Sequence, residues 1–107
     1  MNNKRRKDLY KIIKSLEKCC GNTNIEQTKI LVTGALSDTQ SVLFDEEYAL
    51  DNIPENLQGS ERYEMSEEAC YNLEMAIESL DEIIDNSSDN IADTLSEAIR
   101  FLNDAAF

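Results

Sequence analysis

Asn52-Ile53-Pro54-Glu55-Asn56-Leu57-Gln58-Gly59-Ser60 holds the only proline of a 107-residue chain and one of its three glycines. Proline lacks a backbone N–H and disfavours helical geometry at the residue before it, so a helix arriving here ends by about Ile53. Pro54 can open a short helical turn and Gly59 can close it. The stretch 52–60 is therefore a turn between two long arms, and the rest of the fold is read outward from it.

Upstream, Ile25, Val32, Ala35, Leu36, Val42, Leu43, Ala49, Leu50 and Ile53 form an apolar stripe at helical spacing. They predict a helix over about 24–51, with Thr23 and Glu26 as a capping box at its start. Leu9, Ile12, Ile13, Leu16, Cys19 and Cys20 predict an earlier amphipathic helix over about 4–20. Gly21-Asn22 offers a stop between them. One glycine costs a continuous helix only about 1 kcal/mol, but the apolar phase shifts here, which favours a bend or short loop.

Downstream, Ser60 or Ser66 can cap a final helix over about 62–106, with Glu61, Glu64, Glu67 and Glu68 near its positive end. Cys70, Leu73, Ile77, Leu80, Ile84, Ile91, Leu95, Ala98 and Leu102 keep near-heptad spacing, as in a coiled coil. The polar run Asp85-Asn86-Ser87-Ser88-Asp89-Asn90 reads as a soft spot in a continuous helix, because the apolar phase passes from Ile84 to Ile91.

The expected fold is all-α: one domain over 1–107, built as a helical hairpin with a first arm broken near Gly21. So little Gly and Pro argues against an all-β fold. Two helices shield apolar stripes poorly. Either the N-terminal segment folds back as a third helix, or two chains pair into a dimeric helical bundle. The dimer is the favoured expectation, with Leu73, Ile77, Leu80, Ile84 and Ile91 as helix-pairing residues.

No apolar run is long enough to span a membrane, and Lys11, Lys14 and Ser15 interrupt any signal-like core, so a cytoplasmic location is expected. Cys19, Cys20 and Cys70 are an odd set with two adjacent members, a poor disulfide framework that fits a reducing compartment. The chain has no His. A zinc site and general-base catalysis at neutral pH both lose their usual residue, and no phosphate loop or nucleophile elbow is found. No enzyme activity, cofactor or metal is expected. Asp85, Ser87, Asp89 and Asp93 imitate part of a calcium loop, but Asn90 replaces its glycine and Ser96 its bidentate Glu.

Charge is the outlier, at a formal −12. Residues 1–20 carry seven Lys/Arg against Asp8 and Glu17, a net of +5, and residues 21–107 carry the remaining −17. The basic segment Lys4-Arg5-Arg6-Lys7 with Lys11, Lys14 and Lys18 can touch nucleic acid or an anionic surface. Read as a set these cations are spread around the helix, with only Tyr10 for stacking. Pairing with an acidic arm, its own or a dimer partner's, is the favoured reading over direct nucleic-acid binding.

The acids are more organised. Glu74, Glu78, Asp81, Glu82, Asp85, Asp89, Asp93 and Glu97 recur at three- and four-residue steps. Like charges at such steps oppose a helix by a few tenths of a kcal/mol per pair. No Lys or Arg falls between Arg62 and Arg100. On one continuous helix the row spans about 35 Å, roughly one charge per 4–5 Å, near the ~3.4 Å phosphate spacing of a DNA strand. It reads either as a solvated face or as a surface for a positively charged nucleic-acid channel on another protein.

Asp45-Glu46-Glu47-Tyr48-Ala49-Leu50-Asp51-Asn52-Ile53-Pro54-Glu55-Asn56-Leu57-Gln58, followed by Ser60-Glu61-Arg62-Tyr63-Glu64, resembles a recurring pattern in small, uncharacterised acidic helical proteins. These come from phages and mobile elements of Gram-positive bacteria. The resemblance covers about 45–85 and brings no site residues with it. The chain departs from the pattern at Gly21 to Gly34, where those sequences are charged and continuously helical. The resemblance implies a mobile-element inhibitor of anti-CRISPR or anti-defence type, meeting a basic nucleic-acid-binding surface of a host protein through the acidic stripe. The alternative is a homodimeric structural or adaptor module whose acids only face solvent.

Overall fold

The computed structural model describes residues 2–19, 24–85 and 91–106. They form four helices: α1 (Asn3–Cys19), α2 (Ile25–Asp51), α3 (Glu61–Asp85) and α4 (Ile91–Ala105), with a 3-10 turn at Glu55–Leu57. The all-helical expectation and the turn at 52–60 hold.

Helix starts follow their capping side chains. Asn2 Oδ1 accepts from the Arg5 N–H at 2.8 Å, and Asn24 Oδ1 accepts from the Gln27 N–H at 3.2 Å. The α2 cap is thus Asn24 rather than the expected Thr23, which lies outside the described residues. Ser60 caps α3 by accepting from the Tyr63 N–H at 3.3 Å. The turn is closed by its own backbone, with the Leu57 N–H on the Pro54 carbonyl at 2.8 Å.

Packing runs around a ring: α1 on α2, α2 on α3, α3 on α4 and α4 back on α1. Short connections between neighbours make this an up-down-up-down four-helix bundle, with α1 diagonal to α3 and α2 diagonal to α4. Its principal extents are 50 × 21 × 17 Å.

The continuous helix expected over 62–106 is corrected. α3 stops at Asp85, and α4 starts at Ile91 and packs back against α3. Residues 86–90 of the expected soft spot lie outside the described residues. Heptad phase cannot tell a straight helix from two helices whose connection spans a similar interval. Asn, Ser and Asp also favour turns through side-chain bonds to backbone. Folding back has a large consequence. The four-helix core expected from two chains is completed within one.

Buried positions define two regular seams. On α3 the seam is Ser66, Ala69, Leu73, Ala76, Leu80 and Ile83, with Cys70 and Ser79 buried beside it, and on α2 it is Thr28, Val32, Ala35, Thr39, Val42 and Glu46. Both lines alternate three- and four-residue steps, as a bundle seam requires. The expected helix-pairing set is therefore shifted. Leu73 and Leu80 are fully buried, but Ile83 rather than Ile84 continues the line, and Ile77, Ile84 and Ile91 are half-buried flanks. These residues face their own chain's core. Fully burying each leucine contributes about 1.5–3 kcal/mol. The α2 seam escapes a search for apolar residues because half of it is polar. Thr28 and Thr39 satisfy their hydroxyls on the Asn24 and Ala35 carbonyls, at 3.0 and 2.7 Å.

Candidate functional site: charged faces on diagonal helices

Each helix presents to solvent the side opposite its seam. On α3 this is the side of Glu74, Glu78, Asp81, Glu82 and Asp85, all exposed. Among the described residues none of the five has an ion-pair partner. Asp93 and Glu97 are exposed too, but they stand on α4, which runs back alongside α3. Asp89 lies outside the described residues. The single row of about 35 Å is therefore corrected to a row of about 17 Å on α3, with two further acids on a second helix. On α4 the charge is partly offset, because Arg100 stands 4.0 Å from Glu97 and lies over the Phe101 ring.

The acidic face gains width where its length is lost. Glu47 and Asp51 of α2 join Glu67 and Glu74 of α3 along a groove of about 240 Å³ that also holds Cys70 and Tyr71. Glu67, Glu74, Glu78, Asp81 and Asp85 continue one line, with exposed Tyr71 inside it. Sequence spacing along one helix could have added Glu67. It could not have added Glu47 and Asp51, which reach the groove only through α2–α3 packing. The crowding has a chemical consequence. Burial, with the charges of Glu46, Glu47, Glu74 and Asp51 behind it, pushes the Cys70 thiol from 9.0 up to about 12. Such a thiol is a poor nucleophile at neutral pH.

Glu46 is the one buried acid of the described residues, 1% exposed. Arg5 Nε donates to its Oε2 at 2.6 Å, and the Ser66 hydroxyl donates to its Oε1 at 2.8 Å. The basic N-terminus does pair with its own chain, but with an acid inside the α2 seam and not with the α3 row. Arg6 turns to Asn3 Oδ1 at 2.7 Å. Once Arg5 and Arg6 are accounted for, the lysines are not spread around the helix. Lys4, Lys7, Lys11, Lys14 and Lys18 share one exposed face of α1. Their spacing was visible in the sequence, and the two arginines among them hid it.

No cluster of His, Cys, Asp and Glu among the described residues converges enough to hold a metal ion. No described helix is long and apolar enough to cross a membrane. No protein-family model, curated protein or solved structure matches the chain.

Proposed function

We propose that this chain is a non-enzymatic acidic binding protein that occupies a basic nucleic-acid-binding surface of a host protein. The resemblance to phage and mobile-element proteins makes an anti-CRISPR or other anti-defence inhibitor, acting in the host cytoplasm, the concrete version. The observation that carries this reading is the unpaired α3 row, Glu74, Glu78, Asp81, Glu82 and Asp85. Its charges recur about every 4 Å, close to the phosphate interval. A face of this kind binds quickly through electrostatic steering and releases with salt.

The test is capture of nucleic-acid-binding proteins from a host lysate at low and high salt, followed by assay of the captured protein's nucleic-acid binding. Wild-type protein should inhibit that binding at low salt, and Glu78→Lys/Asp81→Lys/Asp85→Lys should not. Inhibition that survives the triple reversal with its salt dependence unchanged would remove the acidic face from the mechanism.

A self-pairing adaptor is favoured by a different observation. Ile30, Phe44 and Tyr48 are 71%, 70% and 67% exposed on the outer side of α2. In that reading they, and not Leu73 or Leu80, hold the partner. Polar substitutions at the three positions would then abolish pairing without unfolding the bundle.

A further inference from the structure

The five-lysine face of α1 has no role in the core or in the α2–α3 groove, although Lys4 and Lys11 also edge a groove of about 440 Å³ between α1 and α2 that holds Asp8, Asp38 and Asp45. Lys4, Lys7, Lys11, Lys14 and Lys18 alternate three- and four-residue steps, and all five are exposed. None forms an ion pair with a described residue. Within the row the arrangement works against its own helix. Like charges at these steps repel, and Lys4 stands in a first turn that has no acid. Asp8 and Glu17, a turn from Lys4, Lys11 and Lys14, and the dipole at Lys18 offset this only in part. Solubility does not require it in a chain with 22 carboxylates. A locally unfavourable pattern kept on an otherwise consistent scaffold points to a contact outside the chain.

We infer that this lysine face docks on the acidic α3 face of a second copy of the chain. The two rows match in repeat over most of their length. Lysines at 4, 7, 11, 14 and 18 follow the three-four step, as do acids at 74, 78, 81 and 85, with Glu67 two steps further along beyond Tyr71. Two helices side by side can therefore stay in phase, as flanking charges do in a coiled coil. They also match in length, about 21 Å for the lysines and about 27 Å for the acids. Because α1 and α3 are diagonal in the bundle, one chain cannot bring its own two rows together. The contact is head-to-tail, leaves one free lysine face and one free acidic face at the ends, and so propagates. The copies share a net charge of −12, whose repulsion is screened beyond about 8 Å at physiological salt. At contact the opposed rows decide. Duplex nucleic acid is the competing occupant, because its phosphates also attract a lysine row, and sedimentation of the chain alone separates the two.

The inference stands apart from the inhibitor reading, although both use the α3 face, and its test needs only the purified full chain. Sedimentation over a concentration series at ~0.1 M salt, where the Debye length is about 10 Å, should show mass rising to at least twice 12.1 kDa. The mass should return to monomer near ~0.5 M salt, where screening is stronger still. Lys7→Glu/Lys11→Glu/Lys14→Glu alone and Glu74→Lys/Glu78→Lys/Asp81→Lys alone should each stay monomeric. Their equimolar mixture should assemble again, because each face then meets its opposite. Circular dichroism reports whether the variants fold, and the wild-type salt series stands without them. A wild-type chain that stays monomeric at ~0.1 M salt overturns the inference, whether or not its lysines then bind duplex DNA. Assembly indifferent to salt and to both reversals also overturns it, and moves the contact to Ile30, Phe44 and Tyr48.

Discussion

Glu46 is held at three points of the fold at once: on the α2 seam, against Arg5 of α1 and against Ser66 of α3. A buried ion pair contributes little net stability over apolar packing, yet removing one partner strands the other. Arg5→Met should therefore cost about 3 kcal/mol, and Glu46→Leu a similar amount. The double variant should cost clearly less than the sum, as urea titrations arranged in a double-mutant cycle would show. Cys70 supplies a pH signature. The unfolded thiol gives up its proton near 9.0, while the folded one keeps it to about 12. Above pH 9.0 the unfolded chain binds fewer protons than the folded one, so stability falls as pH rises through that window. Cys70→Ala should flatten this alkaline decline relative to wild type, measured as urea midpoints at successive pH values. A slope unchanged by the substitution would assign the decline to other groups.

Among the elements, α3 shows most clearly what apolar counting decides and what it leaves open. Ile83 and Ile84 are adjacent and chemically identical, and a hydrophobic pattern accepts either. Packing chooses Ile83, 2% exposed, and leaves Ile84 at the flank. Ile83→Ala should cost about 3 kcal/mol and Ile84→Ala about 1 kcal/mol, because only the first opens a cavity in the seam. Equal losses in thermal or urea unfolding would contradict the assigned seam. On α2, Gly34 lies inside a helix with open space where a Cβ would stand. Gly34→Ala should stabilise by about 0.5–1 kcal/mol through the unfolded chain's lost freedom. A destabilised Gly34→Ala protein would contradict the open space beside this position.

For the whole molecule, both ends of the hairpin fold back, and the ring of four helices buries the stripes that two arms alone would expose. Deleting residues 86–107 uncovers Leu73, Ala76, Leu80 and Ile83 together. The truncated chain should lose cooperative unfolding as a monomer, either melting or associating, as calorimetry with sedimentation would record. A stable truncated monomer would contradict a closed ring as the source of stability. Closure also sorts the surface by helix. Lysines lie outside α1, exposed Ile30, Phe44 and Tyr48 outside α2, and the exposed acids Glu74, Glu78, Asp81, Glu82 and Asp85 outside α3.

Periodicity, caps and one proline were sufficient to determine an all-helical chain with a reversal at 52–60, since these are local and each residue's preference acts within a turn or two. Charge content was likewise legible, and so were most members of the acidic row. Where α3 ends was not, because a seven-residue interval from Ile84 to Ile91 suits a straight helix and a folded-back pair equally. Nor was the company each acid keeps. Glu46 is inside, Glu47 and Asp51 widen the α3 face, and Asp93 and Glu97 leave it for α4. Those outcomes depend on which helices lie side by side. That is decided by burying all the seams at once, a condition no single stretch of sequence contains.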